Sequence, residues 1–155
     1  MSETRDVLSS FIASTIARDL FNVCTNNVAL GEGIHRTVFR CQFDPTLVFK
    51  FETGEEGRFA NVSEWTLWET AKDMPHIKRW LAPCVAISPN GNVLVQKYAG
   101  YINRDHLPKR VPHFFCDLKP SNWGLYEGHA VCRDYGINLS TENKIDLRLK
   151  RANWR

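Results

Sequence analysis

The chain has 155 residues, of which 43% are apolar and 24% charged, ordinary globular usage with room for one domain, so disorder, coiled coil and a two-domain layout are disfavoured. No run of about 18 apolar residues occurs, so no membrane span is expected, and the acid-bearing start Met1-Ser2-Glu3-Thr4-Arg5-Asp6 does not read as a secretory signal; a cytoplasmic protein is the expectation. The net charge of +3 is local, because five of the 20 basic residues but one of the 17 acids lie between Lys144 and Arg155, which confines any nucleic-acid contact to that tail.

From Ser2 to Leu20, Leu8, Phe11, Ile12, Ile16 and Leu20 recur at helical spacing, and Ser2 or Thr4 can cap the start. Gly31 and Gly33 then form a Gly-rich turn between two strands. After it Val38, Arg40 and Gln42 alternate with Phe39, Cys41 and Phe43, a strand pattern. Asp44-Pro45-Thr46 reads as a turn and Leu47–Phe51 as a third strand. A helix is expected over Gly57–Asp73, with Phe59, Val62, Trp65, Leu67, Trp68 and Ala71 on its apolar face and Pro75 closing it. Strands near Cys84–Ser88 and Val93–Tyr98 flank the hairpin signal Pro89-Asn90-Gly91-Asn92. Tyr101–Pro112 has no period and reads as a connector. Trp123–Tyr126 and Ala130–Arg133 read as short strands, and a basic helix capped by Ser140 or Thr141 is expected to end the chain, with Ile145, Leu147, Leu149 and Trp154 apolar.

The five cysteines include no C-x-x-C pair and read as reduced thiols, and no histidine has metal-ligand spacing. The sharpest signal is Asp117-Leu118-Lys119-Pro120-Ser121-Asn122 followed by Asp134-Tyr135-Gly136. It sets a carboxylate, an ammonium and an amide on one loop, with a second carboxylate after the next strand. Phosphoryl transfer uses such a set: a carboxylate for the attacking hydroxyl, a cation for the γ-phosphate, and oxygen ligands for Mg²⁺.

These residues resemble the catalytic and metal-binding loops of the protein-kinase-like fold. Upstream, Gly31-Glu32-Gly33-Ile34-His35-Arg36-Thr37-Val38 resembles the kinase Gly-rich loop, with Arg36 where a third glycine is usual. Lys50 resembles the lysine that holds the α- and β-phosphates, and Glu64, preferred over Glu69, resembles its glutamate partner. Leu94–Tyr98 resembles the strand entering the adenine-binding hinge. The resemblance spans about Ala29 to Gly136. It implies catalytic roles for Asp117 (base), Lys119, Lys50 and Glu64. It implies ATP contacts from Gly31, Gly33, Val38, Lys50, Gln96, Tyr98, Asn122 and Asp134, and Mg²⁺ ligation by Asn122 and Asp134. The implied fold is α+β: a kinase-like N-lobe, with a five-stranded antiparallel sheet and one helix, and a strongly reduced C-lobe. Its parts are an N-terminal helix (1–24), the N-lobe (25–98), the hinge with both loops (99–136) and a basic helix or tail (137–155).

Phe115-Cys116 stands where His-Arg is usual, so regulation through an activation-loop phosphate is not expected, and few residues follow Gly136 to build a helical lobe. The implied function is Mg-ATP-dependent transfer of the γ-phosphate to a hydroxyl of a protein or small-molecule substrate. The rival class is a weak or inactive kinase-like module that binds and inhibits or scaffolds a host protein. A virus, a phage included, or another mobile element is the expected source by analogy with compact genomes. The five tryptophans are read as core, with some covering a partner or a second copy in a homodimer.

Overall fold

The computed structural model describes residues 19–26, 28–33, 36–52, 59–136 and 146–155. Five strands form an antiparallel sheet in the order β1-β2-β3-β5-β4: β1 (Ala29–Glu32), β2 (Arg36–Arg40), β3 (Leu47–Glu52), β4 (Cys84–Ile87) and β5 (Val93–Lys97). Local chemistry sets the turns. Asp44 Oδ1 accepts hydrogen bonds from Thr46 N at 2.8 Å and Thr46 Oγ1 at 2.6 Å, which bends β2 into β3. Between β4 and β5, Gly91 holds φ at 76°, where a side chain is strained and a Cβ would lie 2.7 Å from Val62 Cγ2.

The register fixes what each face carries. Val38 opposes Lys50, Lys50 opposes Leu94, and Val48 opposes Gln96. Since successive side chains alternate, Arg36, Val38, Val48, Lys50, Leu94 and Gln96 share one face. Phe39, Phe49 and Phe51 lie on the other. There Phe21, from helix α1 (residues 19–25), stands edge-on to Phe39 and Phe51, each at 4.9 Å between ring centroids. Asn26, at φ 53°, ends α1. The rest of the expected N-terminal helix lies outside the described residues.

Helix α2 (Ala60–Ala71) covers the first face and buries Ala60, Asn61, Glu64, Leu67, Trp68 and Ala71, one stripe of a 3.6-residue period. Phe59 and Val62, expected on that stripe, are 65% and 37% exposed instead. Two polar residues hold the buried positions. Asn61 donates through Nδ2 to the carbonyls of Lys50 (3.0 Å), Gly91 and Asn92 (both 3.1 Å), tying α2 to the β4–β5 turn. Pro75 does not close this helix. It opens a short one, α3 (Pro75–Lys78), at the first position, where a missing N–H goes unused.

The remainder of the described chain is short strands and irregular backbone. Strands β7 (Trp123–Tyr126) and β8 (His129–Cys132) form a hairpin whose turn residues, Glu127 and Gly128, both have positive φ (47° and 80°), the backbone that matches the strand twist. Strand β6 (Arg110–Pro112) pairs with β9 (Leu149–Arg151). The helix expected over the basic tail is therefore corrected at its C-terminal part: pairing with β6 gives partners to the backbone groups that face each other across the two strands. Its expected caps, Ser140 and Thr141, lie outside the described residues. Trp123 anchors the core, 5.1 Å from Phe115 and 5.3 Å from Trp154 between ring centroids. Trp68 is buried with it, and Trp65, Trp80 and Trp154 pack against this core. The architecture is thus α+β, a five-stranded antiparallel sheet with few helices. No helix among the described residues is long and apolar enough to cross a membrane.

Candidate active site

Lys50 reaches the site from the middle of β3, and Glu64 from the second turn of α2. Lys50 Nζ lies 2.5 Å from Glu64 Oε1, and both side chains are buried. Glu69 faces away and pairs with Lys72 at 2.7 Å near the surface. Glu64 accepts two further hydrogen bonds, from Arg36 Nη1 at 2.7 Å and Gln96 Nε2 at 2.7 Å. Burial pushes its carboxyl towards the neutral form, but Lys50 and Arg36 outweigh that and hold it below the ordinary carboxylate range.

Arg36 is the residue the sequence reading left unassigned. Burial disfavours its charge, but Glu64 and Asp134 more than compensate and raise its pKa. Its Nη2 donates to Asp134 Oδ1, so one guanidinium joins β2, α2 and the segment after β8. Its place on the Lys50 face, set by alternation along β2, was the available signal. Lys50 Nζ also donates to the carbonyl of Arg133, which brings the 133–136 segment under the sheet. Tyr135 is buried, and its hydroxyl donates to Ala82 O at 2.8 Å. Gly136 sits so close to α2 that a Cβ would come within 2.3 Å of Ala60 O.

Asp117, Lys119 and Asn122 form the second cluster. Asp117 Oδ2 lies 3.2 Å from Lys119 Nζ and accepts from Asn122 Nδ2, also at 3.2 Å. A 3-10 turn over Pro120–Asn122 sets this geometry. Arg133 couples the clusters: its backbone N–H donates to Asn122 O at 2.7 Å, and its guanidinium to Ser121 O at 3.0 Å. Asp134 follows directly in sequence. Phe115, two residues before Asp117, is held from the tail, where Lys150 Nζ donates to its carbonyl at 2.5 Å.

The remaining sequence-derived residues are less converged. Gly31 lies on β1 opposite Val38, and nothing lies within 4 Å of where its Cβ would be. Gly33 N–H donates to Arg36 O at 2.8 Å. Gln96 points into the interior at Glu64, and so positions the carboxylate. Tyr98 lies under the Arg40 guanidinium, 4.2 Å from the ring centroid. An open concavity of about 460 Å³, lined in part by Thr25, Val28, Leu30 and Cys41, includes none of these candidates; convergent buried charge marks a chemical site better than a wide depression does.

Asn122 and Asp134 carry the oxygen atoms in this region that a hard cation could use. Asp134 is a half-exposed carboxylate, and Asn122 turns its amide nitrogen to Asp117, which directs its carbonyl oxygen elsewhere. Hard oxygen donors of this number are what Mg²⁺ takes from a protein when polyphosphate and water complete its shell. Among the described residues no group of three or more His, Cys, Asp or Glu side chains forms a metal cage. Burial pushes the Cys84 thiol up to about 12 and raises Cys132 as well, which disfavours the thiolate form at both. Compared with protein-family models and with curated proteins, the chain matches none.

Proposed function

We propose that the chain binds Mg·ATP between the five-stranded sheet and the Asp117–Asn122 loop and transfers the γ-phosphate to a hydroxyl, as a minimal protein-kinase-like phosphotransferase. One observation carries this reading: a buried Lys50–Glu64 pair and the Asp117–Lys119–Asn122 cluster are joined through the Arg133–Asp134 segment. In the reaction, Lys50, oriented by Glu64, holds the α- and β-phosphates. Asp117 accepts the proton of the attacking hydroxyl as the new O–P bond forms and the bond to the ADP oxygen breaks. Lys119 offsets charge on the transferring group. Asn122 and Asp134 would hold Mg²⁺, which supplies neutralisation of the β- and γ-phosphate oxygens when bound.

The test is incubation of the full chain with γ-labelled ATP and Mg²⁺, comparing wild type with Asp117→Asn. Label on protein, or released phosphate, that is lost in the variant supports transfer through Asp117. Release that is equal in both overturns it. The second reading, a kinase-like module that binds a partner without turnover, is favoured by the Arg36–Asp134 ion pair, which occupies a carboxylate that the metal needs. Nucleotide binding with no turnover on any hydroxyl acceptor would establish that reading instead.

A further inference from the structure

We propose that Arg36 is the chain's own counter-ion for Asp134, a latch that a divalent cation must displace before it can bind. The inference rests on the reading of Asp134 as a cation ligand and goes beyond it by assigning a competitor for that ligand.

Three observations carry it. First, the Arg36 guanidinium is 8% exposed and holds three partners: Nη1 donates to Glu64 Oε2 at 2.7 Å and Asn61 Oδ1 at 3.3 Å, and Nη2 to Asp134 Oδ1. It thus spans two parts of the chain 98 residues apart in sequence. Second, the ion pairs offset one another: among the described residues Arg36 bridges Glu64 and Asp134 while Lys50 shares Glu64, so removing Arg36 takes one positive charge from beside these carboxylates and makes the site more attractive to a divalent cation. Third, access is one-sided. Glu64 is 0% exposed and Asp134 50% exposed, so an ion from solvent meets Asp134 and leaves the buried half of the cluster intact. Arg36 keeps its hold on Glu64 and Asn61 when Asp134 is released, so the latch opens by exchanging one ion pair while the sheet and α2 stay joined.

The consequence is a cleft with low intrinsic cation affinity, raised by removing the competing guanidinium. Mn²⁺, followed by its paramagnetic resonance signal in a nucleotide-free titration of the full chain, is the probe. Arg36→Met keeps the aliphatic stem and removes the charge. It should bind Mn²⁺ about ten- to hundredfold more tightly than wild type, the factor set by one charge-assisted hydrogen bond. Equal affinities overturn the proposal. Absence of Mn²⁺ binding from both proteins also overturns it, and metal-free binding of a fluorescent ATP analogue then tells whether the nucleotide reading survives. Should Arg36→Met fail to fold, Asp134→Asn in the otherwise wild-type chain gives an independent answer, because it leaves Arg36 and its buried partners Glu64 and Asn61 in place. Its Arg36 side-chain N–H signals, seen by ¹⁵N NMR, should exchange with water faster than in wild type. Unchanged exchange would sink the latch.

Discussion

Glu64→Ala removes one carboxylate from beneath three donors. Glu64 is completely buried and accepts from Lys50 at 2.5 Å, Arg36 at 2.7 Å and Gln96 at 2.7 Å. Truncation leaves the Lys50 ammonium without its carboxylate in a site 4% exposed, and leaves Arg36 with Asp134 as its carboxylate and a 3.3 Å hydrogen bond to Asn61. Breaking a buried ion pair from one side costs about 3–5 kcal/mol, a large share of the roughly 5–15 kcal/mol that holds a domain together. Urea unfolding followed by tryptophan fluorescence reads this directly. With a slope of about 2 kcal/mol per molar, the midpoint should fall by roughly 2 M. Glu64→Gln keeps an acceptor oxygen and should fall in between. The double variant Lys50→Met with Glu64→Met removes both members together, and should recover about 1–3 kcal/mol relative to the sum of the single variants. A loss under about 1 kcal/mol for Glu64→Ala, or strict additivity in the cycle, would refute the view that these charges depend on one another.

Because Lys50 and Arg36 hold the Glu64 carboxyl below its ordinary range, the unfolded chain takes up its proton first as pH falls. The associated stability is present above about pH 4.3 and is lost as pH drops through the folded value. Glu64→Gln should flatten the acid limb of a stability–pH curve, and identical limbs would contradict this assignment. Gly136→Ala forces a Cβ to within 2.3 Å of Ala60 O, whereas Gly31→Ala meets nothing within 4 Å. The first should cost about 1–3 kcal/mol and the second far less by calorimetry; equal costs would show that the close approach is relieved freely. Under native alkylation with peptide mapping, exposed Cys116 should react ahead of Cys84 and Cys132, which are buried with raised pKa values. Comparable rates at all three would deny that burial. Trp154 stands edge-on to Trp123 at 5.3 Å and donates to Pro108 O at 3.2 Å. Trp154→Ala should therefore lower stability by about 2 kcal/mol, and an unchanged melting temperature would remove the tail from the core.

The amino-acid sequence by itself determined the parts whose causes are local. Alternation marked the strand at Val38–Phe43, the apolar and aromatic run Leu47–Phe51 put Lys50 in the next, Asp44 and Gly91 marked turns, and Glu127-Gly128 sits between two short runs with β-branched or aromatic residues, so the strands of the sheet and the β7–β8 hairpin were legible. The resemblance also paired Lys50 with Glu64 and set Asp117, Lys119 and Asn122 on one loop; the joining of these groups through Arg36 and the Arg133 backbone was not legible. Hydrophobic periodicity assigned Phe59 and Val62 to the buried side of α2, because it cannot recognise that Asn61 and Glu64 are buried through partners on β2, β3 and the β4–β5 turn. The basic tail had a helical composition, yet Leu149–Arg151 became a strand because β6 supplied hydrogen-bond partners from far away in the chain. Arg36 looked like a departure from a glycine-rich loop; its engagement of Glu64 and Asp134 required the fold to bring residues 28 and 98 positions away against it. Short-range patterns select elements, whereas buried charge is stabilised only by distant partners, and those are decided by tertiary structure alone.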